Sequence, residues 1–404
     1  MSRARFDVAV VGGGAVGASL ALALDHAGFR SVLVEAGEVP VFDPAQMDLR
    51  VYALSPASLA LLQRLGVREP LAQLRCAPYQ RMSVWQHGGE ALNFDAELIG
   101  EPVLGAIAED QALRAALWQR LAQSGVECRT QVKVQRFEPG ASDVRLGLDD
   151  GSVIRATLIV ACDGVASPLR ALAGLSIASE PYAESAIVAH VRSERPHQAT
   201  AWQCFGSDGP LAFLPLADGR SSIVWSVPKA RAASLLTLDR SAFAAALEAA
   251  FDSRLGALEL DSERAALPLN LQLASRWVGA RLALAGDAAH AVHPLAGQGL
   301  NLGLLDIAAL VDVLSAARSA GADIGAAACL RDYERWRQGD AVLAARAFDW
   351  INGLFRSQVP LLPWLRGRGL GWIDRVRPLK REFARHASGF GGRVPSLSQR
   401  LPLW

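Results

Sequence analysis

The cysteines of this 404-residue chain have no pairing pattern. Cys76, Cys128, Cys162, Cys204 and Cys329 stand far apart, and no C-x-x-C or zinc-like spacing joins them. They read as reduced thiols of a cytoplasmic protein. An excess of either charge is also lacking. Forty-one Lys and Arg face 40 Asp and Glu, a net charge of +1, so the chain as a whole is not expected to bind nucleic acid. No apolar run is long enough, and free enough of glycine, to be expected to span a bilayer. Internal repeats and low-complexity tracts are absent. The remainder is an ordinary globular composition, with length for two domains or for one large domain carrying an insertion.

Two glycine-rich segments stand out, almost a chain length apart. Residues 6–11, FDVAVV, read as a buried strand, and GGGAVG follows at 12–17. Gly12, Gly14 and Gly17 fit G-x-G-x-x-G, and residues 18–27 can continue as a helix. The first glycine permits a tight turn, the second admits a pyrophosphate to the backbone, and the third lets helix pack on strand. The helix N-terminus adds free N–H groups and a partial positive charge. Residues 31–34 form a second strand, and Glu35 at its end suits the ribose hydroxyls of an adenosine. A signal-peptide reading of residues 8–24 fits less well, because the glycines suit a phosphate loop better than an apolar signal core.

The second segment, LAGDAAHAVHPLAGQGLNLG, spans residues 284–303. A short apolar strand precedes Asp287, a loop rich in Gly and Pro follows, and then a helical run begins. Such a segment brings backbone N–H groups and one carboxylate to a large polar ligand. Two such segments acting together imply one long cofactor, and they point to FAD. A helix starting near Gly299 would aim its dipole at the charge of a reduced flavin. Asp287-x-x-His290-x-x-His293 has a metal-like spacing, but its Pro and Gly neighbours suit a ligand loop, and no metal is expected. His290 and His293 read as packing or hydrogen-bonding residues. Cys162 reads as a buried strand residue.

Between these segments the signals are those of an α/β protein. Ser55-Pro56 should cap a helix that Gly66 closes. Residues 81–86 read as a strand, 110–123 as an amphipathic helix, and 126–160 as short strands broken by turn signals. Residues 185–227 read as an antiparallel sheet distinct from the nucleotide domain. The chain returns to that domain near Arg281 and is mainly helical from Leu300 to about Lys380. No second G-x-G-x-x-G follows a strand, so a separate nicotinamide domain is not expected.

GGGAVG, CDGVASPLR (162–170) and GDAAHAVHPLAGQGLNLGLLD (286–306) together resemble the group A flavoprotein aromatic hydroxylases, of which p-hydroxybenzoate hydroxylase is the model member. DLRVYALSPASLALLQRLGV (48–67), LGAIAEDQALRAALWQRL (104–121) and GPLAFLPLADGRSSIVWS (209–226), with Tyr333, Arg335 and Arg337, resemble the UbiH/UbiF/VisC family of ubiquinone-biosynthesis hydroxylases more closely. The likeness covers most of residues 6–355. It implies a Rossmann-like FAD-binding domain, an inserted antiparallel-sheet substrate domain and a helical C-terminal region. The expected division is 1–75, 96–180 and 271–325 for the FAD domain, 76–95 and 181–270 for the substrate domain, and 326–404 for the helices.

By this resemblance Gly12, Gly14 and Gly17 would hold the pyrophosphate and Glu35 the ribose. Arg50 would reach toward the flavin. Asp163 and Gly164 would serve FAD and NAD(P)H, the implied electron donor, with a separate electron-donor protein as the alternative. Asp287 would contact the ribityl chain, and Pro294 would sit over the reactive face of the flavin. Gly297 and Gly299 would shape the loop, with the N–H groups of Leu300 and Asn301 meeting the N1–C2=O edge. Glu184 stands where the family often has Gln. The implied reaction is ring hydroxylation of a polyprenyl phenol by dioxygen through a flavin C4a-hydroperoxide, with DIGAAACLRDYERWR pointing first to ring carbon 5 and then to carbon 6. A hydroxylase of a small soluble aromatic and a non-catalytic flavin-binding subunit are the alternatives. A proton carrier cannot be chosen among Tyr52, Tyr79, Tyr182, Tyr333, a histidine and water.

Residues 364–393 hold eight basic residues against Asp374 and Glu382, so the rest of the chain carries about −5 (+1 minus +6). Trp364, Trp372 and Phe383 are interleaved. Peripheral contact with the inner membrane face or with a ubiquinone-biosynthesis complex is one reading. Simple packing on the FAD domain is the other.

Overall fold

The computed structural model describes residues 5–291, 298–356 and 377–401. The chain opens with β1 (Phe6–Val11), α1 (Ala15–His26) and β2 (Ser31–Val34). It continues through β3 (Val51–Leu54), α2 (Pro56–Arg64), α3 (Arg68–Ala72), β4 (Cys76–Tyr79), β5 (Arg81–Gln86), β6 (Ala91–Asp95) and β7 (Gly105–Glu109). Next come α4 (Asp110–Leu121), β8 (Glu127–Arg129), β9 (Val134–Pro139), β10 (Val144–Leu148), β11 (Val153–Ala161) and α5 (Pro168–Leu172). The long β12 (Ile177–Ser193) precedes β13 (Thr200–Phe205), β14 (Pro210–Pro215), β15 (Ser221–Pro228), α6 (Lys229–Thr237), α7 (Arg240–Ala250), β16 (Leu258–Leu260) and β17 (Ala265–Ala274). Last are β18 (Val278–Gly279), β19 (Leu282–Leu284), β20 (His290–Ala291), α8 (Gln298–Ser319), α9 (Ala327–Arg356) and α10 (Arg377–Ala387).

The first sheet has the order β18-β19-β11-β1-β2-β8, with β10 and β9 added antiparallel beyond β11. β1, β2, β8, β11 and β19 run parallel. Their apolar runs are nearly continuous because helices cover the sheet, α1 being the central one. α1 packs on α4 and α8. Since β1 has β2 on one side and β11 on the other, the strand order reverses at β1. That is where open α/β sheets bind ligands, outside the carboxyl ends of the strands.

The second sheet has the order β20-β17-β12-β15-β14-β13-β5-β6, with β16 on β12. One face buries Trp85, Phe213 and Trp225 against Phe243 and Phe251 at α7. The other face meets a small sheet, β3-β7-β4, through Ala212 and Leu214 against Ala53 and Ile107.

Three expectations change here. The substrate sheet is not wholly antiparallel, because β13 and β5 pair in parallel from Thr200–Arg81 to Phe205–Gln86. Local alternation sets which face is buried, but not the direction of a partner more than 100 residues away. The strand at Cys76–Tyr79 joins β7 in the small sheet rather than the substrate sheet. Finally, α8 contains a 21-residue stretch, Gly299–Ser319, that is long and apolar enough to cross a membrane by composition. It is largely buried among α1, α2 and α9, which accounts for its apolarity as a core helix.

Candidate active site

The sequence motifs meet because each follows one of four neighbouring parallel strands. Gly12 ends β1, Glu35 ends β2, Cys162 and Asp163 end β11, and Asp287 follows β19. A cavity of about 660 Å³ opens at these strand ends, between the first sheet and the substrate sheet. Gly14, Arg50, Gly164, Asp287, Gly299 and Leu300 all line it. Pro294 and Gly297 lie outside the described residues, as does His293.

The phosphate loop is shaped by lack of room. Gly12 has φ +102°, and a Cβ there would lie 2.3 Å from the Cys162 carbonyl oxygen. At Gly17 a Cβ would lie 1.9 Å from the Gly12 carbonyl oxygen, because α1 crosses β1 at contact distance. Around Gly14 nothing lies within 4 Å of the same position. Gly14 is also the N-cap of α1 and supplies no side-chain cap, so the helix's first N–H groups face the cavity. Glu35 braces this loop by accepting from Gly13 N at 2.5 Å and from Gly37 N at 2.7 Å. Trp118 on α4, which sequence reasoning did not single out, donates its indole N–H to the Gly13 carbonyl at 2.9 Å.

The cavity floor is polar. Arg50, Asp48, Tyr52, Asp110 and Asp287 gather there. Partial desolvation works against the Arg50 charge, but Tyr52, Asp110, Asp287 and Asp48 together raise its pKa. Burial raises the Asp287 pKa, opposed by His290 and Arg50. The Tyr52 hydroxyl donates to Asp110 Oδ1 at 3.0 Å, and burial followed by the Asp110 charge pushes its pKa far up. Burial raises Tyr79 to about 12 and holds Tyr333, whose hydroxyl donates to the Leu284 carbonyl, well above its ordinary value. These three phenols therefore stay protonated and are unsuited to accept a substrate proton.

Other expected residues have a second task. Asp163 accepts from Ser167 Oγ at 2.5 Å and from Leu169 N at 3.0 Å, capping α5, while Gly164 turns with φ +82° along the cavity. The Asn301 side chain is almost fully buried. Its Oδ1 accepts from Ser55 N and Ser58 Oγ, and its Nδ2 donates to the Ala53 carbonyl, which ties the start of α8 to β3 and α2. Cys162 is half-buried and lines the cavity, a correction to its reading as a buried strand residue, because β11 ends one residue earlier. Glu184 is buried in the substrate sheet. His290 does hydrogen-bond, to the buried Asp306, a residue not singled out from sequence.

The opposite wall of the cavity is mainly apolar, with Asn270 of β17 its polar residue. Ala186 and Val188 of β12, Leu214 of β14, Val224 of β15, and Leu267 and Leu269 of β17 form it.

The FAD-binding domain family matches residues 5–341. The 3-demethoxyubiquinol 3-hydroxylase of Escherichia coli K12 is 37% identical over 385 residues, covering 95% of this chain and 98% of that protein. The ubiquinone hydroxylase UbiL of Rhodospirillum rubrum is 35% identical over 98% of this chain and 93% of its own. The mouse mitochondrial ubiquinone biosynthesis monooxygenase COQ6 is 34% identical over 95% and 91%. Among solved structures, p-nitrophenol 4-monooxygenase from Pseudomonas putida DLL-E4 superposes with a TM-score of 0.78 at 21% identity, covering 96% of this chain and 99% of that one. HpxO of Klebsiella pneumoniae, complexed with FAD and uric acid, gives 0.72 at 22% identity, covering 94% and 96%. These structures share the fold of the present chain. An open Gly14, a helix N-terminus without a side-chain cap and an acid after β2 fit the pyrophosphate and ribose of FAD. By sequence, fold and site, the chain belongs to the ubiquinone-biosynthesis hydroxylase family of FAD-dependent monooxygenases.

Proposed function

We propose that this enzyme hydroxylates the aromatic ring of a polyprenyl phenol or quinol in ubiquinone synthesis, using dioxygen and electrons from NAD(P)H. The observation that carries the substrate class is the contrast between the cavity walls. The polar floor lies on the FAD side, and the wall from β12, β14, β15 and β17 is mainly aliphatic, with Asn270 as its polar member. A small aromatic carboxylate would need a free cation. Both arginines lining the cavity, Arg50 and Arg114, face acids instead, Arg50 among Asp48, Asp110 and Asp287, and Arg114 3.7 Å from Asp110. An aliphatic wall suits a hydrocarbon tail.

Bound FAD supplies the activation of dioxygen, one atom entering the ring and the other leaving as water. The chain's own groups bind, orient and exclude water. Gly12, Gly14 and Gly17 would hold the pyrophosphate, Glu35 the ribose, and Asp287 the ribityl chain. The start of α8, with Gly299 and the N–H groups of Leu300 and Asn301, would meet the flavin N1–C2=O edge. Pro294 would sit over the reactive face of the flavin, and Gly297 would belong to the cofactor-binding loop. Arg50 would reach toward the flavin, and Asp163 and Gly164 would serve both FAD and NAD(P)H. We place the protein in the cytoplasm, in peripheral contact with the membrane that holds its lipid substrate.

The deciding experiment is the quinone lipid profile of a deletion strain. An accumulated demethoxylated or dehydroxylated precursor, restored to ubiquinone by the intact gene, is the expected result, and its structure names the ring carbon. Unchanged ubiquinone with no precursor, in a strain lacking a redundant hydroxylase, overturns the reading. A purified protein that stays colourless when FAD is supplied would overturn the flavin assignment on which it stands.

A further inference from the structure

Behind the Asp287 turn lies a buried charge cluster that none of the steps above uses. Asp306, fully buried on α8, accepts from His290 Nε2 at 2.5 Å and from Gly286 N at 3.2 Å through one oxygen. Its other oxygen accepts from Arg337 Nε on α9 at 2.9 Å. Arg337 is itself 1% exposed and reaches Asp340 with a second nitrogen at 2.6 Å. The two groups that Asp306 grips on the turn, Gly286 and His290, bracket Asp287.

The surroundings hold the same turn from the α9 side. Tyr333 donates to the Leu284 carbonyl, Glu334 accepts from Trp277 N at 2.7 Å, and Trp277 stacks on the His290 ring at 4.9 Å. Tyr333 and Arg337 are four residues apart and so share a helix face. Beyond the turn, residue 290 pairs with Leu273 in the substrate sheet. Packed hydrophobic residues of equal volume commonly stabilise a core as well as a buried ion pair does. What the ion cluster adds here is direction. Two directional bonds, from Gly286 N and His290 Nε2 to one Asp306 oxygen, fix the two ends of a five-residue turn in which Asp287 lines the cavity.

We propose that Asp306, held by Arg337, is a positioning residue for FAD, fixing the Gly286–His290 turn so that Asp287 is presented to the cofactor. The inference rests on the reading of Asp287 as a cofactor-binding acid. Asp306 lies behind the turn and acts through Asp287 rather than by touching the flavin itself.

The test is a double-mutant cycle read as the FAD dissociation constant of the apoprotein, from flavin fluorescence quenching. Asp306→Asn should weaken FAD by about tenfold, the scale of one well-placed polar contact. Asp287→Ala should weaken it at least as much. The double variant should match Asp287→Ala alone, because coupled residues do not add. Multiplicative effects in the double variant, or an unchanged constant for Asp306→Asn, would overturn the inference. An unchanged constant for Asp287→Ala would instead remove the underlying reading of that acid. A pair at His290 keeps the test decisive if Asp306→Asn does not fold. His290→Gln retains a donor for Asp306 and should stay within about threefold of wild type, whereas His290→Leu should lose about tenfold. Equal constants for these two variants would also overturn it.

Discussion

At Gly17 the space for a side chain is already taken by the Gly12 carbonyl. Gly17→Ala must therefore separate α1 from β1, at a cost of about 1–3 kcal/mol or more. The expected outcome is a lower thermal midpoint and loss of FAD together. Gly14→Ala meets nothing, so it should keep the midpoint of the apoprotein yet weaken FAD, because the added methyl stands where the pyrophosphate approaches. Calorimetry of the two apoproteins beside FAD titration separates the cases. A different residue governs the response to acid. His190 on β12 is fully buried, and neither ring nitrogen has a hydrogen-bond partner. Burial, with the Arg220 charge, lowers its pKa to about 4, against favourable effects of Asp218, Asp48 and Asp261. An unfolded histidine binds its proton near pH 6.5, so between pH 6.5 and 4 the unfolded chain holds more protons than the native one. Stability should fall across that window as the pH drops, by up to about 3 kcal/mol from this group. Urea midpoints from pH 7.5 to 4 should show a shallower slope for His190→Leu than for wild type. A parallel slope would assign the acid response elsewhere. Gly12, Gly14, Gly17 and Glu35 were legible in the sequence because their spacing is itself the geometry. Trp118, Asp306 and the side chain of Asn301 were not, because their partners lie on distant segments.

The elements themselves were read more readily than their pairings. Ser55 does cap α2, with Pro56 in the first turn and Gly66 at φ +70° just past the end. β1, β2 and β5 fall where alternation and apolar runs put them. The start of α8 was expected near Gly299, and Gln298 is its first residue. What local pattern could not show is how that start is held. Asn301 satisfies Ser55 N, Ser58 Oγ and the Ala53 carbonyl at once. Asn301→Ala removes the side-chain partner of Ser55 N and of the Ala53 carbonyl and leaves Ser58 Oγ only its bond from Ser55 Oγ, each lost contact worth about 1–3 kcal/mol. The variant should melt lower and hold FAD more weakly, since the same residue stands in the first turn of the helix facing the flavin. Asn301→Asp keeps the two acceptor contacts but sets a buried carboxylate oxygen against the Ala53 carbonyl, so it too should melt below wild type. A midpoint for Asn301→Ala equal to wild type would contradict this account of the joint.

At the scale of the whole molecule the near-zero net charge conceals a polar distribution. α10 carries Lys380, Arg381 and Arg385 against Glu382, with Phe383 half-exposed among them. Residues 364–376 of the basic segment read from sequence lie outside the described residues, and its last arginine, Arg393, lies over the Trp336 ring. A basic helix bearing an exposed aromatic suits an anionic bilayer, at about 1 kcal/mol per basic residue near the surface. Sedimentation with vesicles containing anionic lipid should carry down the intact protein and lose the Arg381→Glu, Arg385→Glu variant, with the difference shrinking in high salt. Equal sedimentation of both would assign α10 to packing alone. The gathering of three distant motifs at one place was legible only as an inference from one long cofactor. Its cause is the neighbouring positions of β2, β1, β11 and β19, which no local signal encodes. The same topology bears on attempts to exchange specificity between relatives. The substrate sheet looks like a transferable module, but its edge strand β20 lies inside the flavin motif and pairs with Gln272 and Leu273 of β17. A chimaera that imports β5–β6 and β12–β17 from another hydroxylase must therefore match its incoming β17 to the recipient's His290–Ala291. A donor sheet offset there by one residue would turn its wall residues away from the cavity that they are meant to line.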